Sequence, residues 1–181
     1  MLILIIGGAE SGKSLFAEKL VTKLAKKNLY YFATMQICDE ECQQRVLKHQ
    51  QQRAEKNFMT IETPFLDIKN LINFPESSTG LLECLSNLLA NMQFNTKYSN
   101  INDLPEFMIK KILNLYQNLE NLVIVTNDIF SDEIPDCMKY YLRNLGKINC
   151  NLANYAEIVL EINSGNVIVW KGENLFHEIM G

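Results

Sequence analysis

Short apolar runs alternate with longer amphipathic stretches along most of the chain. Five of the short runs are rich in β-branched or aromatic residues and predict strands at residues 2–6, 29–33, 59–62, 81–84 and 122–126. Between most of these runs lie stretches with a helical pattern, which predict helices at residues 14–27, 39–57, 85–94 and 104–119. This alternation is typical of βαβ units, so we expect an α/β fold with a mainly parallel sheet flanked by helices.

The pattern changes towards the end of the chain. A helical stretch from about residue 135 to residue 155 is followed by two apolar strands that flank Asn163, Ser164, Gly165 and Asn166. This arrangement predicts a C-terminal antiparallel β-hairpin at one edge of the sheet, and His177 beyond it is expected to lie in an exposed tail. Neither a repeat nor a linker divides the sequence, so residues 1–181 are predicted to form a single domain.

Charge and composition narrow the class of partner. Seventeen basic residues are set against 21 acidic residues, which gives a net charge of −4. Proteins that bind the phosphate backbone of nucleic acids normally carry a basic excess, so we expect no nucleic-acid partner. No segment reaches the ~18 apolar residues of a membrane span, and a cytoplasmic protein is expected. The five cysteines include no C-x-x-C pair and are expected to be free thiols.

The first predicted strand is followed directly by the sequence GGAESGKS, which matches the P-loop pattern G-x-x-x-x-G-K-S. The strand before it and the helix after it complete the context of a P-loop, which predicts a P-loop NTPase-type domain that binds a nucleoside triphosphate. Backbone N–H groups and the helix N-terminus would bind the phosphates. The residues concerned are Gly7, Gly8, Ala9, Glu10, Ser11, Gly12, Lys13 and Ser14. Lys13 would contact the β- and γ-phosphates, and the Ser14 hydroxyl would bind Mg²⁺.

A P-loop enzyme also needs a carboxylate at the end of a strand to hold Mg²⁺, directly or through water. Glu83 follows an apolar run and is the first candidate, while Asp128 after the next predicted strand is the alternative. The guanine-specificity sequence N-K-x-D is absent, so a GTPase switch of the usual kind is not expected.

The segment RVLKHQQQR contains one of the two histidines of the chain. Arg45, His49 and Arg53 are spaced four residues apart, so they would share one side of a helix. Guanidinium groups bind phosphate oxygens, and a neutral imidazole is a competent nucleophile or general base. An exposed histidine more often has no such role, and the local pattern leaves this question open. Cys38, Cys42 and His49 could also share a helix face, but no fourth ligand lies nearby, so zinc is not expected.

Taken in order, these motifs resemble the bifunctional adenosylcobinamide kinase/adenosylcobinamide-phosphate guanylyltransferases of cobalamin biosynthesis. The likeness covers nearly the whole chain. The matching segments are GGAESGKS with Ala17-Glu18, Ala33-Thr34 with Asp39-Glu40-Glu41, Arg45-Val46-x-x-His49-x-x-x-Arg53, Leu81-Leu82-Glu83-Cys84-Leu85 with Asn91, Val125-Thr126-Asn127-Asp128-Ile129 with Ile134-Pro135, and Gly146-x-x-Asn149.

The resemblance implies two reactions. One phosphorylates the aminopropanol hydroxyl of adenosylcobinamide with ATP or GTP, and the other transfers GMP from GTP to that phosphate through a guanylylated histidine, here His49. Mg²⁺ is the implied cofactor, the corrinoid is the acceptor, and a homo-oligomer such as a trimer is the implied assembly. Beyond the P-loop, the implied nucleotide contacts are Ala33, Thr34, Met35, Gln50, Gln51, Gln52, Arg53, Glu62 and Glu83.

The second half of the chain departs from the family pattern. Phe130 and Asp132 replace two glycines, and Cys150 replaces a glutamine. Because these changes lie away from the P-loop, they concern acceptor recognition rather than the GTP site. Two alternatives therefore stay open: a P-loop small-molecule kinase without a covalent step, and a diverged GTP-binding regulator without catalysis.

Overall fold

The structure is a computed structural model, and it describes residues 1–36, 40, 43, 44, 46, 47, 56–68, 74–128 and 135–181. Within these residues, seven strands and five α-helices follow one another along the chain. In order they are β1 (Leu2–Gly7), α1 (Lys13–Leu24), β2 (Asn28–Ala33), β3 (Met59–Glu62), β4 (Ser78–Glu83), α2 (Leu85–Gln93), α3 (Leu104–Tyr116), β5 (Asn121–Asn127), α4 (Asp136–Tyr155), β6 (Ile158–Asn163), β7 (Asn166–Lys171) and α5 (Glu173–Met180).

All seven strands belong to one sheet with the order β3-β2-β4-β5-β1-β6-β7. Neighbouring strands are parallel, except that β6 and β7 form an antiparallel hairpin at one edge. This architecture confirms the predicted α/β fold with a mainly parallel sheet and a C-terminal hairpin. Because β1 lies between β5 and β6, its carboxyl end and the loop that follows have a neighbouring strand on each side.

The two faces of the sheet bury separate sets of apolar side chains, which explains why the inner strands read as nearly continuous apolar runs. In β1, Leu2 and Leu4 belong to the core under α2, α3 and α4, whereas Ile3 and Ile5 belong to the core under α1 and α5. This alternation is the two-residue period of a strand. No described helix combines the length and the hydropathy that crossing a membrane would require.

Several predicted boundaries differ from the observed ones. Strand β4 begins at Ser78 rather than residue 81, since its polar and glycine residues are buried in the middle of the sheet. Helix α1 ends at Leu24 rather than residue 27, because Ala25 has extended backbone angles. Helix α3 ends at Tyr116 rather than residue 119. Between the predicted helices, residues 95–103 contain a short 3₁₀ helix, Thr96–Tyr98.

The expected C-terminal tail is a helix that packs on the sheet, although its exposed position for His177 is confirmed. Residues 173–180 form α5, and the buried ring of Phe176 lies 6.3 Å from the ring of Phe16 on α1. His177 itself is exposed on that helix, with 68% of its side chain accessible. The apolar side of α5 thus completes the core on the α1 face of the sheet.

A buried ion pair joins α1 to the residues that precede β3. The Lys56 ammonium lies 2.5 Å from the carboxylate of Glu18, whose side chain is 1% exposed, while Lys56 is 26% exposed. The second carboxylate oxygen of Glu18 is buried and has no hydrogen-bond partner among the described residues. Removing one partner of a buried pair leaves an uncompensated charge, which costs far more than loss of a surface pair.

We expect Lys56→Met to lower the free energy of unfolding by roughly 2–4 kcal/mol, because Glu18 would remain buried without its cation. Lys26→Met is the matched control, since it breaks an exposed pair with Glu120 and should have a much smaller effect. The double variant with Glu18→Leu should recover most of the loss. Urea denaturation measures all three, and equal effects of the two single variants would contradict the assignment.

Candidate functional site

The P-loop connects the buried strand β1 to helix α1, and the side chain of its lysine is bonded to the backbone of the loop. The ammonium of Lys13 donates a hydrogen bond of 2.7 Å to the carbonyl oxygen of Gly8, and the N–H of Ser11 donates to the same oxygen at 3.3 Å. Gly12 has a φ of 91°, a left-handed conformation that favours glycine. Burial lowers the pKa of Lys13, and its electrostatic interactions with Cys84 and Glu83 oppose this shift.

The first glycine of the loop is required by packing. A Cβ atom on Gly7 would lie 2.5 Å from the carbonyl oxygen of Ile162 and 2.7 Å from the Oγ of Ser11. Both contacts are too short, so a side chain at this position would displace either strand β6 or the loop itself. Packing against the neighbouring strand and the loop is therefore enough to explain the glycine at this position of the pattern.

The turn of the C-terminal hairpin also contacts the P-loop. The N–H of Gly165 donates a hydrogen bond of 3.0 Å to the carbonyl oxygen of Ser11. The sequence predicts the hairpin but not this contact, because it depends on β6 lying next to β1. Gly165 is thus a residue of the site's framework that the motif analysis does not find.

Glu83 ends strand β4 at the same edge of the sheet as the P-loop. Its side chain is buried, and the hydroxyl of Tyr31 donates a hydrogen bond of 3.1 Å to one carboxylate oxygen. Asp128 follows β5 at that edge but is exposed, and its N–H donates to the carbonyl oxygen of Gly7 at 2.9 Å. Both acids are therefore near the P-loop, and the enclosed position of Glu83, within electrostatic range of Lys13, favours it as the metal ligand.

The carboxyl ends of β2 and β3 and the loop after β2 contain the other predicted nucleotide contacts that the structure describes. Thr34 is fully buried: its N–H donates to the carbonyl oxygen of Glu83 at 3.1 Å, and its hydroxyl donates to that of Cys84 at 2.8 Å. Ala33 and Met35 on either side are half-buried, and Glu62 at the end of β3 is exposed. The side chain of Thr34 is therefore occupied by protein contacts, whereas its neighbours are accessible.

The nucleophile that the family resemblance implies, His49, lies outside the described residues. The same is true of its neighbours Arg45, Gln50, Gln51, Gln52 and Arg53. Cys38 and Cys42 lie outside them too, as do the changed positions Phe130 and Asp132. Among the residues that are described, no group of three His, Cys, Asp or Glu side chains is arranged to hold a metal ion. The expected free thiols are confirmed for Cys84, which is buried, and Cys150, which is exposed.

Several solved structures have a similar fold. The chain is similar to the KaiC-like protein PH0186 from Pyrococcus horikoshii, with a TM-score of 0.51 and 13% identity over 94% of this chain and 79% of that one. It is similar to the ATP synthase subunit NeqB from Nanoarcheaum equitans, with a TM-score of 0.51 and 13% identity over 88% of this chain and 45% of that one. At these identities the likeness concerns the fold alone.

Sequence relatives are more specific. The chain is 31% identical to the bifunctional adenosylcobalamin biosynthesis protein CobU of Escherichia coli, over 91% of this chain and 97% of the relative. It is 28% identical to CobU of Salmonella typhimurium, over 91% of this chain and 97% of the relative. It is 27% identical to CobP of Pseudomonas aeruginosa, over 95% of this chain and 98% of the relative. The sequence profile named CobU, cobinamide kinase / cobinamide phosphate guanyltransferase, matches residues 3–169. The chain therefore belongs to the cobinamide kinase / cobinamide phosphate guanyltransferase family.

Proposed function

We propose that this protein phosphorylates adenosylcobinamide and then transfers GMP from GTP to the new phosphate, as an enzyme of cobalamin biosynthesis. The observation that carries the proposal is the family match over residues 3–169, which includes the P-loop, the histidine segment and β4. The geometry supports it, since Lys13 and Glu83 lie together at the carboxyl edge of the sheet. Ligands of open α/β sheets bind at this edge.

In the first reaction, the aminopropanol hydroxyl oxygen forms a bond to the γ-phosphorus of ATP or GTP. The bond from that phosphorus to the bridging oxygen breaks, the nucleoside diphosphate leaves, and the hydroxyl proton passes to solvent. The backbone N–H groups of residues 7–14 hold the phosphates, and the Lys13 ammonium offsets the negative charge on the phosphate oxygens. Lys13 is already directed into the loop by its hydrogen bond to Gly8.

In the second reaction, an imidazole nitrogen of His49 forms a bond to the α-phosphorus of GTP, and pyrophosphate leaves. A phosphate oxygen of adenosylcobinamide phosphate then forms a bond to the same phosphorus while the N–P bond breaks, which regenerates His49. The covalent intermediate divides a difficult transfer between two anions into two easier steps. The role of His49 follows from its position in the family motif.

Mg²⁺ is the proposed cofactor, and the residues present fit it. Two oxygen donors near the P-loop are the hydroxyl of Ser14 in the first turn of α1 and the carboxylate of Glu83, which are ligands that this hard cation prefers. When bound, Mg²⁺ would neutralise charge on the phosphate oxygens. Nucleotide contacts from Ala33, Thr34, Met35, Gln50, Gln51, Gln52, Arg53 and Glu62 complete the proposed site.

The proposed location is the cytoplasm, where both nucleotides are available, and the proposed assembly is a homo-oligomer such as a trimer. Strand β7 is at the edge of the sheet and exposes Trp170 and Ile168, at 67% and 41%. Exposed edge strands with apolar side chains are frequently covered in assemblies.

Incubation with adenosylcobinamide and Mg²⁺ tests the proposal. With ATP alone, mass spectrometry should detect a product heavier by one phosphate group, and added GTP should convert it to the GDP derivative. Chelation of Mg²⁺ with EDTA should stop both conversions. The phosphate adduct without the GDP derivative would indicate a kinase only, and tight GTP binding with no product would indicate a regulator.

A further inference from the structure

One side-chain amide joins two loops at the carboxyl edge of the sheet. The Nδ2 of Asn91 on α2 donates a hydrogen bond of 2.7 Å to the carbonyl oxygen of Thr34 and another of 2.8 Å to that of Pro64. Thr34 follows β2 and Pro64 follows β3. A single amide group therefore uses both of its N–H donors to hold two loops at a fixed separation.

The last residues of β2 and β3 and the loops that follow them carry four of the proposed nucleotide contacts, Ala33, Thr34, Met35 and Glu62. A backbone hydrogen bond of 2.8 Å from the N–H of Thr63 to the carbonyl oxygen of Ala33 also joins them. Thr34 is also hydrogen-bonded to the carbonyl oxygens of Glu83 and Cys84, and Asn91 adds a side-chain link between the two loops.

The loops are well separated from the P-loop along the sheet. Three strand spacings separate β1 from β2 and four separate it from β3. At the usual spacing these separations are roughly 14 and 19 Å. A triphosphate bound to the P-loop would therefore reach these loops with the nucleoside, not with its terminal phosphate.

We propose that Asn91 is a positioning residue for nucleotide binding: it holds the loops after β2 and β3 where they receive the nucleoside part of GTP. This proposal rests on the proposed function, because it takes the contacts of residues 33–35 and 62 from the family. Asn91 acts through the backbone of Thr34 and Pro64 and does not itself touch the nucleotide. We assign this positioning role because both hydrogen bonds of the Asn91 amide go to loops of the proposed site, and neither goes to the core.

The chain offers a matched control for a purely structural role. The Nδ2 of Asn121, at the start of β5, donates a hydrogen bond of 3.1 Å to the hydroxyl of Thr79 near the start of β4. This amide is buried, whereas that of Asn91 is half-buried, and it lies at the amino edge of the sheet, opposite the site. Asn121→Leu should therefore destabilise the fold without affecting nucleotide binding.

The test is to measure, by calorimetry with Mg²⁺, the Kd of GTP and of inorganic tripolyphosphate for wild type, Asn91→Leu, Asn91→Asp and Asn121→Leu. Asn91→Leu should weaken GTP binding about tenfold, as expected for loss of one or two hydrogen bonds, and should change tripolyphosphate binding less than about twofold. Asn91→Asp has nearly the same shape and should weaken GTP binding at least as much, because a carboxylate cannot donate to the two carbonyl oxygens.

The outcomes separate this proposal from the proposed function. If wild type binds GTP and Asn91→Asp binds it equally well, the role of Asn91 is wrong while the proposed function stands. Equal weakening of GTP and tripolyphosphate, or equal weakening by Asn91→Leu and Asn121→Leu, would also overturn it, since either result indicates general loss of structure. A wild-type protein that binds tripolyphosphate but not GTP would contradict both proposals.

Discussion

His49→Ala is expected to abolish the transfer of label from α-labelled GTP to the protein, while phosphorylation of adenosylcobinamide by ATP continues. Only an attack on the α-phosphorus leaves GMP on the enzyme, so γ-labelled GTP should give no protein-bound label even in wild type. The P–N bond of a guanylylated histidine should be labile in acid and stable in base. Denaturing gels after acid or base treatment measure this directly.

The second histidine supplies the control for this experiment. His177 lies on α5 with 68% of its side chain exposed, and its Nε2 is 3.8 Å from the carboxylate of Glu173. His177→Ala should keep the full label, because none of its contacts with the described residues connects it to the P-loop. Label that persists in His49→Ala and disappears in His177→Ala would move the nucleophile to α5 and contradict the family assignment.

Lys13→Gln is expected to lower kcat/KM of both reactions by about 10²–10³, the usual cost of removing one donor that stabilises charge in a transition state. Glutamine keeps much of the length of lysine but lacks the positive charge that the phosphate oxygens require. The buried position of Lys13 strengthens the effect, since electrostatic interactions are less screened away from water. Steady-state kinetics with each nucleotide measure the loss.

Lys19→Gln is the control, because Lys19 is exposed on the same helix and should change kcat/KM less than about twofold by analogy with other surface residues. Thermal melting of both variants would exclude unfolding as the cause. If Lys13→Gln reduces phosphorylation and leaves guanylylation intact, the two reactions do not share the P-loop, and the proposed common site is wrong.

Local patterns in the sequence predict most of the fold because the strands are apolar and the helices amphipathic. The patterns give wrong strand boundaries where polar residues are buried because their strand lies in the middle of the sheet. Ser78, Thr79 and Gly80 look like a turn in sequence, yet they lie inside a central strand. The missed helix α5 had a detectable signal, since Leu175, Phe176, Ile179 and Met180 are spaced as one helix face.

The sequence likewise predicts some residues of the candidate site and not the contacts of others. Lys13, Ser14 and Glu83 could be found because they occur in a motif or end a strand. Asn91 could be aligned with the family, but its pairing with Thr34 and Pro64 could not be derived, because residues from three parts of the chain meet only in the folded protein. The same holds for Tyr31 and Gly165, whose contacts depend on the order of strands in the sheet.

The contact between Gly165 and Ser11 has a consequence for how the protein acquires its activity during synthesis. The P-loop leaves the ribosome well before β5 and β6, the strands that flank β1, which are made only after residue 120 and residue 157. Until then, β1 has no neighbour on either side, and Ile3 and Ile5 lack much of their core. Contacts between residues so distant in sequence form late and slow the folding of a domain. The nucleotide site is therefore incomplete until the hairpin has been made, so a nascent chain should not bind GTP before the hairpin has emerged.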